Sequence, residues 1–216
     1  MATTHDRKRW SSWRTANFCF FEEHLSKLPT EKTLIDIGAG PEQFRELTWR
    51  FKKTSVDFKQ FGTTDVVADL EKEIPLPADS ADIVYMSNVL EHLPYAEITL
   101  SETHRILKRG GLLIGAVPFL AAVHQAPYDY KRYTIFGLKR ILAEAGFTDI
   151  EITPIGRPTQ LYRNMQDVMF RYLPRTITMW MYQKIERLSH NIFSILLRNQ
   201  PISADFCQGY GFRAIK

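Results

Sequence analysis

Cysteine is scarce in this chain: Cys19 and Cys207, near opposite ends, are the only two in 216 residues. That count argues against a disulfide-stapled scaffold or a zinc cluster, and no metal site is expected. Uncharged apolar runs are short, and none reaches the roughly 18 residues that a membrane span needs. Residues 1–14 are polar and basic with no apolar centre, so no secretory leader is expected and a cytoplasmic location is. No internal repeat is present. A hydrophobic content of 44% with 24% charged residues is that of an ordinary globular protein, long enough for one core and an elaboration.

The chain is organised around Thr33-Leu34-Ile35-Asp36-Ile37-Gly38-Ala39-Gly40. Its apolar, partly β-branched run reads as a central parallel strand that leads into a glycine turn. Gly38 and Gly40 have no Cβ, which lets the backbone turn sharply and approach a ligand closely. Asp57 lies 21 positions after Asp36, at the end of the next apolar run. An acid at about that distance suits a pair of ribose hydroxyls. The third glycine of the dinucleotide fingerprint is missing, because Gln43 stands in its place. That counts against a pyrophosphate cradle and against NAD.

Asn17 to Leu28 reads as a helix with Phe18, Phe21, Leu25 and Leu28 on one face, ended by Pro29. Pro41 can occupy a first helical turn, with Phe44, Leu47 and Phe51 on the buried face. Strands are expected at Thr54–Phe58, Val66–Leu70, Ile83–Met86, Leu112–Val117, Thr148–Ile152 and Gly209–Ile215. Between them lie helices at Thr99–Leu107, closed by Lys108-Arg109-Gly110-Gly111, and at Phe136–Ala145, with Thr134 as its N-cap and Gly146 as its stop. The alternation predicts an α/β sheet covered by helices on both faces. Two polar segments fall where such sheets bind ligands: Ser87-Asn88-Val89-Leu90-Glu91-His92-Leu93, and the loop His124-Gln125-Ala126-Pro127-Tyr128-Asp129-Tyr130-Lys131-Arg132-Tyr133-Thr134.

The segment before the last strand differs from the rest. Between Ile155 and Gln200, seven Lys/Arg face two acids, a net +5 against +4 for the whole chain. Met181, Ile185, Leu188, Ile192 and Ile195 form a helical stripe, with Lys184, Arg187, Asn191 and Arg198 on another face. Three partners remain open for the stripe: the chain's own core, a second subunit in a homodimer, or an anionic membrane, the last placing the protein at the inner membrane face.

From Thr33 to about Ile152 the chain resembles the class I S-adenosylmethionine-dependent methyltransferases, in their small-molecule, type 11-like branch. The motifs that carry the resemblance come in order: Leu34 to Gly40; Asp57; Ala68-Asp69-Leu70; Asn88 to Leu93; Arg105-Ile106-Leu107-Lys108-Arg109-Gly110-Gly111; and Ala145-Gly146-Phe147. Arg109 departs from the proline usual before Gly-Gly. The combination of His124, Pro127, Asp129-Tyr130 and Arg132-Tyr133-Thr134 looks like a subgroup found near polysaccharide and glycolipid biosynthesis. The resemblance implies a Rossmann-like, doubly wound, seven-stranded sheet, mostly parallel with an antiparallel last strand. It also implies S-adenosylmethionine as cofactor. Asp36, Gly38 and Gly40 would line its amino-acid portion, Asp57 would take the ribose, Asp69 and Leu70 would frame the adenine, and Asn88 would cover the sulfonium side. The domain plan is an N-terminal arm and helix (1–32), the cofactor-binding core (33–154), a helical basic insertion or cap (155–205) and the final strand (206–216).

Methyl transfer from a sulfonium is an in-line displacement, so much of its catalysis is positioning and desolvation. An alcohol acceptor also gains from a base, and an unperturbed imidazole titrates at about pH 6.5. His124 is the first candidate, with Asp129 to orient it or to act as the base, and His92 the second. Against this, the same groups can simply hold the loop in shape. Tyr130, Arg132 and Tyr133 are expected to meet the acceptor, a small molecule, sugar or glycolipid. Two readings from other classes stay open. One is a non-catalytic module that binds the cofactor or a partner. The other is a nucleic-acid methyltransferase, against which stand the lack of an Asn-Pro-Pro-Tyr-like tetrapeptide and of an exposed aromatic platform.

Overall fold

The computed structural model describes residues 10–170, 184, 188, 189, 192, 195, 196 and 200–216. Strand β1 (Thr33–Ile37) is an interior strand of a seven-stranded sheet of order β3-β2-β1-β4-β5-β7-β6. The others are β2 (Lys52–Asp57), β3 (Val66–Val67), β4 (Ala81–Ser87), β5 (Leu107–Pro118), β6 (Thr148–Ile155) and β7 (Gly209–Ile215). Strands β1 to β5 pair in parallel. Strand β7 runs antiparallel to both of its neighbours, β5 and β6. The doubly wound sheet and its antiparallel last strand are therefore as expected.

Side-chain alternation along the strands divides the interior in two, because successive residues point to opposite faces. Ile35, Ile37, Val84, Met86, Leu113 and Val117 enter one core. Leu34, Ile83, Tyr85, Ile114 and Ala116 enter the other. Helices α3 (Ala96–Ile106) and α4 (Ile135–Glu144) cover the first face through Leu100, Ile106, Leu138 and Leu142. Helices α1 (Ser12–Leu25) and α2 (Arg45–Thr48) cover the second through Phe18, Phe20, Phe21, Leu25 and Leu47.

Helix α1 begins five residues before its expected start at Asn17 and ends at Leu25 rather than Leu28. Ser11 is the reason for the early start: its hydroxyl accepts the Arg14 amide and caps the first turn. Pro41 does not open a helix. Glu42 takes a left-handed φ of 54°, which interrupts the chain, and α2 starts only at Arg45. The segment expected to close α3, Lys108 to Gly111, lies instead inside β5. Leu107 pairs with Ala81 and Leu112 with Ile83, so the intervening residues bulge, with Gly110 at φ 73°. Their backbone is occupied by residue 216: the Gly110 amide donates to the Lys216 carbonyl, and the Lys216 amide to that of Gly111. The cap of α4 is as expected, with Thr134 Oγ1 accepting the Gly137 amide.

After β6, α5 (Pro158–Phe170) opens the basic segment, with proline at the first helical position. The rest of the expected cap falls mostly outside the described residues, Met181 and Ile185 of the stripe among them. Of the stripe, Leu188, Ile192 and Ile195 are described, and all three are exposed. No described helix is long and apolar enough to cross a membrane.

Candidate active site

The chain runs from β1 outward to β2 and β3, then returns to β4 and β5 on the other side of β1. The carboxyl ends of β1 and β4 thus flank the point where strand order reverses, the place where open α/β sheets bind ligands. The Gly38–Gly40 turn, Asp69, the Asn88–Leu93 segment and the His124–Thr134 loop all lie on segments that leave this edge.

On the β1–β3 side, Asp57 contacts the glycine turn that lies 17 residues before it. Its Oδ2 accepts the Gly40 amide at 2.9 Å and its Oδ1 the Lys59 amide at 3.1 Å. Gly38 has φ 69°, and a Cβ there would meet Val89 Cγ2 at 2.5 Å. Gly40 has φ 51°, and the space beside it is open, with no atom within 4 Å of where a Cβ would stand. A left-handed turn with clear space above it and an acid beside it is a cradle for a ligand that approaches backbone closely. Asp36 is buried on the aromatic face, in register with Tyr85. Burial pushes its carboxyl up to about 7; Lys53 opposes this, while Glu42 and Asp57 add to it. Lys53 itself pairs with Glu42.

Asp69 lies just past β3, exposed, with its carboxylate paired to Lys72 at 3.0 Å and accepting the Glu71 amide. Leu70 is buried beside it. Asn88 leaves β4 at φ 57°, a conformation that asparagine tolerates. Its amide is committed to α1: Oδ1 accepts Trp13 Nε1 at 3.0 Å, and Nδ2 faces Asn17 Oδ1 at 3.5 Å. Sequence reading missed Trp13, because a tryptophan in what reads as a polar arm carries no motif.

On the β4–β5 side, the loop after β5 folds back onto the 3-10 turn Leu90–His92. The Glu91 carbonyl accepts the amides of Tyr130 and Lys131, and His92 Nδ1 lies 2.5 Å from the Tyr128 carbonyl. Asp129 is buried against Arg132, bonded through both of its oxygens, and its Oδ2 also accepts the His124 amide. The Arg132 hydrogen bonds hold the Asp129 carboxyl far below the usual carboxylate range, against the opposing effect of burial. The His124 ring sits with Nδ1 3.3 Å from Asp129 Oδ2 and Nε2 4.0 Å from Glu91 Oε1. Glu91 is fully buried, and burial pushes its carboxyl up to about 8. Burial also lowers the His92 imidazole.

The structure therefore joins His124, Asp129, His92 and Arg132 in one cluster and adds Glu91, which the sequence reading had left within a motif. It separates the three expected acceptor contacts. Tyr130 is about half exposed at the loop surface. Arg132 is tied to Asp129. Tyr133 is buried in the main core with its hydroxyl on the Leu90 carbonyl at 3.3 Å, which makes it a support of the turn.

Fold and site together put an open ligand cradle and a polar side-chain cluster at the carboxyl edge of one sheet. The family model described as a methyltransferase domain matches residues 23–115 of this chain. It is similar to a ubiquinone biosynthesis O-methyltransferase of Nitrosococcus oceani, 24% identical over 173 residues that span 70% of this chain and 69% of that one. A SAM-dependent methyltransferase from Archaeoglobus fulgidus has the same fold, with TM-score 0.63 and 20% identity, covering 98% of this chain and 97% of its own. Phosphoethanolamine N-methyltransferase 2 of Haemonchus contortus, solved with S-adenosyl-L-methionine, superposes with TM-score 0.58 and 17% identity over 94% of this chain and 52% of that one. The open glycine turn with Asp57 fits S-adenosyl-L-methionine, the ligand with which the Haemonchus enzyme was solved.

Proposed function

We propose that this enzyme methylates a hydroxyl group of a small-molecule, sugar or glycolipid acceptor, deprotonated at the His124 imidazole. The observation that carries this reading is the buried Asp129–Arg132 pair, which fixes a half-exposed imidazole at the carboxyl end of β5, two strands from the cofactor turn. Gly38, Gly40 and Asp57 hold the cofactor, with Asp69 and Leu70 at its adenine end and Asn88 on the sulfonium side. Bound S-adenosylmethionine supplies an electrophilic methyl: an O–C bond forms while the C–S bond breaks and leaves its electron pair on sulfur. Asp129 orients His124 by accepting from Nδ1, which leaves the Nε2 lone pair to take the hydroxyl proton and pass it to water. Arg132 keeps Asp129 ionised for that role. The O-methylation named for the Nitrosococcus relative supports an oxygen acceptor. The +5 charge of the segment from Ile155 to Gln200 supports an anionic one, such as a phosphate-linked glycolipid at an anionic bilayer.

Radiolabelled methyl transfer to a panel of phenols, sugars and lipid-linked sugars tests the reading, with cofactor affinity measured by calorimetry alongside. Turnover on a hydroxyl acceptor is expected; cofactor binding without turnover on any acceptor would favour a non-catalytic module. Co-sedimentation with anionic vesicles, lost at high salt and absent with neutral ones, is expected if the basic segment meets a membrane.

A further inference from the structure

The Glu91 carboxylate is fully buried, and neither of its oxygens has a hydrogen-bond partner among the described residues. The main chain of Glu91, not its side chain, anchors the loop after β5, so loop anchoring does not account for a carboxyl group there. Such a group is costly to take out of water without a partner. Two imidazole nitrogens face it. His92 Nε2 lies 3.8 Å from Glu91 Oε1 and His124 Nε2 lies 4.0 Å from the same oxygen, both beyond hydrogen-bond range. His92 Nε2 is itself buried and unpartnered.

The outer nitrogens decide what the inner ones present. His92 Nδ1 meets the Tyr128 carbonyl, which can only accept, so the proton sits on Nδ1 and Nε2 carries a lone pair. His124 Nδ1 lies 3.3 Å from Asp129 Oδ2, 3.4 Å from the Ala122 carbonyl and 3.3 Å from Arg132 Nη2, whose two hydrogens are directed at those same two oxygens. Donation to either acceptor leaves Nε2 as a second lone pair. Two imidazole lone pairs and a carboxylate therefore converge on one small space, with their donor atoms all within 4.8 Å of one another. A single proton bridges only one pair, and these gaps are too wide for it.

We propose that Glu91, His92 and His124 bind a divalent first-row transition cation of the Zn²⁺ type. Two imidazoles and one carboxylate suit such an ion better than Mg²⁺ or Ca²⁺, which prefer oxygen. Metal–ligand bonds of about 2.0–2.1 Å place donors roughly 3.3–3.5 Å apart in a tetrahedral site. The gaps here close to that by moves of about half an ångström, within the reach of a half-exposed loop histidine. Each ring is already held through its far nitrogen by a carboxylate or a carbonyl, the usual support of a metal-binding histidine. Three protein ligands leave a fourth position for water or an acceptor oxygen. That is the pattern of a catalytic rather than a structural site.

The ion's task rests on the methyl-transfer reading. At the open position it lowers the pKa of an acceptor hydroxyl, whose proton leaves to water. The alkoxide oxygen then forms the bond to the methyl carbon while the C–S pair stays on sulfur, and the ion keeps its oxidation state. In that case His124 acts as a ligand and no longer takes the proton itself.

The test uses the full chain, stripped with a chelator and titrated with ZnCl2 by calorimetry, and with CoCl2 by visible absorption. One Zn²⁺ per chain is expected, with the d–d bands of a low-coordinate Co²⁺ site and no saturable response to MgCl2. His124→Ala and Glu91→Gln should each weaken Zn²⁺ binding at least about tenfold, and Asp129→Asn by about 10–100-fold. No saturable Zn²⁺ binding overturns the proposal, as does stoichiometric binding that is the same in His124→Ala as in the parent. His124→Ala, on the half-exposed loop, decides the matter even if a change at buried Glu91 unfolds the chain. S-adenosylmethionine titrations on the same samples separate the two readings. Cofactor binding without Zn²⁺ binding removes only the cation; Zn²⁺ binding without cofactor binding removes only methyl transfer and supports the cation site.

Discussion

Along the carboxyl edge of the sheet, the half beside β1, β2 and β3 is closed by backbone. Asp57 takes the amides of Gly40 and Lys59, the Gly38 amide donates to the Val56 carbonyl, and the Ala68 amide donates to that of Asp57. The half beside β4 and β5 gathers side chains instead: Glu91, His92, His124, Asp129 and Arg132. Several atoms there, the Glu91 oxygens, His92 Nε2 and Arg132 Nε, are buried without a partner. The first half is complete as it stands and needs only its ligand. The second keeps polar groups unsatisfied, the mark of a site whose chemistry is done by side chains.

Breaking the second half should leave the first intact. His124→Ala is expected to lower turnover by about 10²–10⁴-fold while cofactor affinity stays within about twofold, as read from steady-state kinetics and calorimetry. A near-normal rate would make the cluster a scaffold for the loop.

Asp36 tests the first half through pH. Its folded pKa is about 7 against an ordinary 3.8, so across that window the folded state holds a proton that the unfolded chain has lost. Stability therefore falls as pH rises between those values, by up to about 4 kcal/mol once fully past the upper one. Asp36→Asn should remove this dependence and raise the melting temperature most above pH 7. Because a cationic cofactor favours the carboxylate, the parent's affinity should also rise as pH approaches about 7, and the variant's should not. Lys53, Glu42 and Asp57 are the charged groups that face it. A flat melting profile in the parent would place Asp36 in contact with water or a further partner.

Asp57→Ala sharpens the contrast from the other side. Cofactor affinity should weaken by about 1.5–3 kcal/mol, with turnover at saturating cofactor largely kept. Unchanged affinity would remove Asp57 from the ribose.

The sequence made the first half legible because its parts are local and periodic: a strand, a glycine turn, and an acid at the end of the next strand. The same holds for the inner strands β1, β4 and β5, whose apolar runs are buried on both faces, whereas edge strand β6 is exposed over most of its length. Fine boundaries failed where one residue decides the matter, as with the Ser11 cap, the left-handed Glu42 and the bulge at Gly110. The second half resisted reading because Glu91 and His124 are 33 positions apart and meet only when the loop folds back. The methyltransferase family match shows the same divide, since it ends at Gly115, before that loop begins.

The smallest effect is expected where the two halves are joined. Trp13→Phe removes the hydrogen bond from α1 to Asn88 and should cost about 0.5–1.5 kcal/mol in denaturant unfolding. No loss at all would show that α1 is held by its aromatic packing alone.

Strand β7 lies between β5 and β6, and β6 has no other neighbour in the sheet. During synthesis, then, β6 emerges from the ribosome with no strand to pair with, and the flank of β5 stays bare until residues 209–215 follow. For the time needed to make the intervening basic segment, the nascent chain carries two unpaired edges at once, a state that invites capture by chaperones or by another nascent copy. The cofactor-binding half, complete by β5, has no such wait, so the enzyme can acquire its nucleotide cradle while its sheet is still unfinished.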